Sequence, residues 1–88
     1  MKTYTEDQRK EDIKNLKKLS NIGQIYRSKE FYRLHKNFSD TENILLKKIS
    51  EFSRMDMAEC RLRHISCIEE IGLDGAIEFL RDTIATFG

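Results

Sequence analysis

Residues 55–73, MDMAECRLRHISCIEEIGL, leave the folded chain little freedom. On a helical wheel at about 100° per residue, Asp56, Glu59, Arg63, Ser66 and Glu70 gather into one narrow polar arc. Met55, Met57, Ala58, Cys60, Leu62, Ile65, Cys67, Ile68 and Ile71 cover nearly all the rest, with His64 beside Met57, Cys60 and Ile71. A helix so widely apolar needs neighbours on several sides. A monomer of 88 residues supplies few, and buries only about 60–65% of its unfolded surface. Self-association is therefore expected. Arg61 falls inside the apolar arc, between Ile65 and Ile68, with Ala58 and Met57 where a supporting acid would sit. Burying an unpaired guanidinium is expensive. Arg61 must snorkel, meet an acid from another helix or subunit, or bind an anionic ligand.

The rest of the composition agrees with helices. There is no proline, only four glycines, and 35% of residues are charged, whereas sheets need more turn punctuation and β-branched residues. The expected fold is all-α: a single helical domain over residues 1–88, either a long helical hairpin or a small bundle. No apolar run is long enough to span a membrane, and the charged N-terminus has no apolar core of a signal peptide. Cys60 and Cys67, seven residues apart on one helix, would lie about 10 Å apart, too far for a bridge. Reduced thiols of this kind fit a cytoplasmic protein.

Net charge is only +1, but it is unevenly placed. Residues 1–36 hold ten Lys/Arg against five Asp/Glu, and residues 37–88 hold six against ten. The asymmetry suits docking of opposite halves and argues against duplex nucleic acid, whose binders carry a strongly basic footprint.

Thr5-Glu6-Asp7-Gln8 has capping-box form and opens the first helix. Its apolar residues Ile13, Leu16, Leu19, Ile22 and Ile25 step by threes, so the stripe drifts around the axis. A continuous helix with Gly23 at a close crossing is the favoured reading, and a break at Ser20 is the alternative. His35-Lys36-Asn37 is the exit. Ser39-Asp40-Thr41-Glu42 is a second capping box, followed by a stripe of Leu45, Ile49 and Phe52 that runs on into 55–73. Gly72 and Gly75 either end that helix or lie within it. Leu73, Ile77, Leu80, Ile84 and Phe87 then repeat at steps of 4, 3, 4, 3, the pattern of a coiled-coil seam.

Catalysis finds no footing in this sequence: there is no glycine-rich phosphate loop, paired-carboxylate cleft or triad. Cys60, His64 and Cys67 share a face, yet a zinc site needs further ligands and only His35 remains. No enzyme activity, metal or cofactor is expected. Arg63 has Glu59 one turn earlier, the favourable order for a surface ion pair. Lys17 and Lys18 have no acid one turn earlier, so they are either a solvated face or an anion site. Tyr4 precedes the first helix, where disorder and base stacking are its two expected fates.

Two stretches are similar to a family of small phage proteins that act as sponges for cyclic oligonucleotides and blunt the CBASS antiviral signal. Ile22-Gly23-Gln24-Ile25-Tyr26 resembles the family's apolar-Gly-x-apolar-apolar run, and Arg63-His64, Gly75 and Arg81 match a basic-ring, glycine, arginine spacing. Tyr4 followed by Lys17, Lys18 and Ser20 resembles the tyrosine and lysine that the family uses on its ligand. This chain departs from the pattern with His64 at an expected tryptophan and with Ile71-Gly72-Leu73-Asp74 at an expected glutamine-rich segment.

The resemblance implies a long antiparallel helical hairpin with a short N-terminal element, assembled into a homo-oligomeric helical bundle, hexameric in the family, that sequesters cyclic di- or trinucleotides intact at subunit contacts in the host cytoplasm. Its implied ligand residues are Tyr4, Lys17, Lys18, Ser20, and Arg61 and Arg63 as alternatives for one basic position. The competing expectation is a helical interaction protein with no small-molecule ligand, such as a phage-type inhibitor of a host enzyme.

Overall fold

The computed structural model describes residues 4–88, which contain helices and no β-strand. The chain divides into two compact units, residues 1–37 and 38–88.

In the first unit, Thr5 caps α1 (Glu6–Lys17) by accepting the Gln8 N–H at 3.1 Å. Glu6 pairs with Lys10 at 3.8 Å and with Arg9 at 3.7 Å, so much of the basic face is ordinary surface pairing. The continuous helix expected through Gly23 does not form. α1 ends at Lys17, and Asn21 caps α2 (Ile22–Arg27) by accepting from Gly23 and Gln24. Ser28 then ends α2 in extended backbone and caps α3 (Lys29–Lys36) through the Phe31 N–H. Short polar side chains offer the backbone a competing hydrogen bond, which makes a new helix start cheap at Asn21 and Ser28. The break also accounts for the drifting stripe. Ile13 and Leu16 are buried, but Ile22, beyond the break, is 57% exposed. α3 packs on α1 and contributes buried Phe31 and Leu34.

In the second unit, Ser39 and Glu42 form a complete capping box at the start of α4 (Asp40–Ser53). The expected run from α4 into 55–73 is interrupted. Arg54 sits in the left-handed region at φ 58°, and α5 (Met57–Phe87) starts afresh. The buried apolar residue of α4 is Leu46, with Leu45 and Ile49 only partly covered, so the stripe lies one position away from that expected.

Gly72 is non-helical inside α5, at φ 83° and ψ 168°, a region open essentially to glycine alone. It divides α5 into arms 57–71 and 73–87. Leu46, Cys60 and Leu80 form one packed cluster. In a straight helix Cys60 and Leu80 would stand about 30 Å apart, so the chain bends sharply at Gly72 to bring both arms onto α4. Ala76 and Leu80 are the buried residues of the second arm, while Phe87, the last member of the expected seam, is 73% exposed.

Candidate functional site

The two units present different chemistry. In the first, Asp12 is buried and receives three hydrogen bonds. The Tyr4 hydroxyl donates to Oδ2 at 2.8 Å, and the Arg33 fork donates through Nε to Oδ2 at 3.1 Å and Nη2 to Oδ1 at 2.7 Å. Burial alone would raise the Asp12 carboxyl, but the Arg33 fork and the Tyr4 hydroxyl outweigh it and hold it below the ordinary range. The Tyr4 hydroxyl is pushed up in turn, first by its own burial and then by the adjacent carboxylate. Tyr4 is thus half-buried, with its hydroxyl committed to Asp12.

Lys17 and Lys18 lie at the C-terminal end of α1, where cations favour the helix dipole, and Ser20 is exposed in the segment that follows. In the second unit Arg63 donates to Glu59 at 3.2 Å, the exposed pair that its spacing predicts. Arg61 is partly buried, and among the described residues its Nε has no hydrogen-bond partner. The acid from another helix that would satisfy this atom is not among them.

Two features of the second unit escaped the sequence reading. The first is a buried pair: His64 Nε2 lies 2.6 Å from Glu42 Oε2. Glu42 Oε1 accepts from the Ser39 N–H at 2.9 Å and the Ser39 hydroxyl at 3.0 Å. Burial would raise this carboxyl too, but the bonds from His64 and Ser39 hold it low. An ionised carboxylate only accepts, so Nε2 carries the proton. Phe38 meets the imidazole edge-on at 5.2 Å, and among the described residues Nδ1 finds no partner. His64 is therefore committed to packing and to Glu42.

The second feature is an apolar groove of about 430 Å³, walled by α4 and both arms of α5. Leu46, Cys60, Cys67, Ala76 and Leu80 line it, and Phe52, Phe79 and Phe87 are exposed among its lining residues. Both cysteines are free, and burial pushes both thiols up, Glu59 and Glu70 adding to the effect at Cys60 and Cys67 respectively. Such thiols are poor nucleophiles. No group of His, Cys, Asp and Glu among the described residues is arranged to hold a metal ion. No described helix is long and apolar enough to cross a membrane.

No family model, no curated protein and no solved structure matches the chain.

Proposed function

We propose that this chain works by association rather than by chemistry, and that it sequesters cyclic di- or trinucleotides at contacts between copies. The observation that carries the anionic ligand is the Arg61 Nε, a buried atom of a partly exposed side chain, without a partner among the described residues. A phosphate oxygen would satisfy it with a charge-assisted hydrogen bond, which a guanidinium makes well. Lys17, Lys18 and Ser20 remain proposed contributors. Tyr4 becomes a residue that orders the first unit, and Arg63 a surface ion pair that a ligand would have to displace.

Native mass spectrometry with a panel of cyclic di- and trinucleotides tests this reading. The expected result is an oligomer carrying intact ligand at fixed stoichiometry, with uptake lost in Arg61→Ala. An oligomer that takes up no cyclic nucleotide would overturn it.

The apolar groove favours a second reading, a helical interaction protein that docks on another protein and takes no small ligand. A monomer that binds an apolar dye through the groove, and no cyclic nucleotide, would support that reading.

A further inference from the structure

Residues 38–88 include four phenylalanines, and none lies in the buried core. Phe38 is half-buried against His64, while Phe52, Phe79 and Phe87 are 38%, 59% and 73% exposed. The core of this unit is made of smaller side chains: Leu46, Cys60, Ile65, Ile68, Ala76 and Leu80. A unit this small stands at the edge of what a single core can stabilise, and association is a common remedy. Here the largest apolar groups face outward around a groove that its own side chains do not fill.

We infer that this groove is the face through which two copies of the chain associate, each placing Phe79 and Phe87 in the groove of the other. The inference rests on the self-association in the proposed function and gives it a location. Three observations select a second copy as the occupant. The first is shape: the groove is concave, and its own lining carries two strongly exposed rings at i and i+8 on one arm. A surface with both knob and hole can satisfy itself about a twofold axis and closes at two copies.

The second is area. At roughly 200 Å² per ring, the three exposed phenylalanines alone leave on the order of 350 Å² open on each copy. That is more than half of the roughly 600 Å² per partner at the low end of stable interfaces. Ile49, Met55 and Thr83 line the same groove and add to it.

The third is charge. The second half of the chain is acidic in sum, but among the described residues no acid lines the groove. Arg63, the one lining Lys or Arg among the described residues, is already paired with Glu59. Two copies can therefore meet here without bringing carboxylates face to face.

The experiment is sedimentation velocity and native mass spectrometry of the full chain, wild type against Phe79→Asp, Phe87→Asp and the control Ile44→Asp. Ile44 is as exposed as Phe79 but does not line the groove. The expected result is an oligomeric wild type whose mass falls by about twofold or more in both phenylalanine variants and not in the control. Phe87→Asp lies at the last helical residue, so it keeps the test valid if Phe79→Asp fails to fold; unchanged far-UV circular dichroism identifies the folded variants.

A monomeric wild type at 100-micromolar concentrations would overturn the inference. So would an oligomer indifferent to both substitutions. Failure of the two proposals separates cleanly. An oligomer that binds cyclic nucleotide but ignores Phe87→Asp sinks the groove alone, whereas one that dissociates in Phe87→Asp yet takes up no nucleotide supports the groove and sinks the ligand.

Discussion

Each unit buries one carboxylate, and the two are held by different kinds of partner. Asp12 meets a guanidinium that keeps its charge at any working pH, plus a phenol. Glu42 meets an imidazole and the cap of its own helix. The exposure of the partner differs as well. The Arg33 side chain is 38% exposed and its field is screened by water, whereas the His64 side chain is fully enclosed. The same operation, burying an acid, thus yields a screened clamp in residues 4–37 and a dry, all-or-none contact in residues 38–88. The units also treat phenylalanine differently: Phe31 is buried in the first, while Phe52, Phe79 and Phe87 face outward in the second. Among the described residues, only the second unit exposes phenylalanine.

The contrast is broken most severely at His64. His64→Leu leaves Glu42 buried opposite an apolar side chain, and loss of one member of a buried pair costs on the order of 3–5 kcal/mol. Urea denaturation followed by circular dichroism should show that loss, and it should exceed the loss in Arg33→Met, where water reaches the clamp. The reverse order would mean that the imidazole contact is the weaker of the two.

Gly72→Ala comes next. A Cβ there would meet open space, with nothing within 4 Å, so any cost belongs to the backbone. Holding a non-glycine residue at that φ and ψ costs on the order of 1–3 kcal/mol. If instead the second arm straightens, the Cys60–Leu80 cluster opens, and hydrogen exchange across 73–87 would accelerate. A variant as stable and as well protected as wild type would sink the argument for the bend.

These two residues also show how far the sequence could be read. The helical class, the Ser39–Glu42 capping box, the Glu59–Arg63 pair and the exit at Lys36 were all legible, because each rests on contacts within one turn. The break at 18–21 stood only as the alternative at Ser20, and those at Ser28 and 54–56 were not legible, since they are settled by competition between local caps and a continuing ladder. Gly72 was visible only as an ambiguity: the letter permits a bend, and only packing of Cys60 on Leu80 demands one. The buried acids left a signal that went unread. Asp12 stands four and seven residues ahead of Leu16 and Leu19, and Glu42 likewise ahead of Leu46 and Ile49. Each is a charge at the head of an apolar stripe, the pattern that singles out Arg61. Their partners, Arg33 and His64, lie 21 and 22 residues away, beyond any periodicity.

The pH dependence sharpens the comparison at both ends of the scale. Asp12 and Glu42 both have lowered carboxyls. Each therefore contributes stability that is present above the unfolded carboxylate value, about 4, and is lost as pH falls through the folded value. Acid should weaken both units, and Asp12→Asn should remove only part of the slope. Alkali should separate them. The Tyr4 hydroxyl is raised, so its contribution is whole below about pH 10 and is lost as pH climbs above that. Tyr4→Phe gives up one part-buried hydrogen bond, worth about 1 kcal/mol, and should flatten the alkaline slope. Equal alkaline slopes in Tyr4→Phe and wild type would show that the Tyr4–Asp12 bond does not contribute.

The smallest effect should carry the opposite sign. Arg54 is the one non-glycine residue with positive φ among those described, and it closes α4 in the left-handed region. That conformation costs an L-residue roughly 1 kcal/mol, while glycine adopts it freely. The greater freedom of glycine in the unfolded chain returns part of the gain. Arg54→Gly should therefore stabilise by no more than about 0.5–1 kcal/mol, seen as a small rise in the urea midpoint at unchanged m-value. A fall in the midpoint would show that the arginine side chain contributes a contact larger than the strain of its backbone.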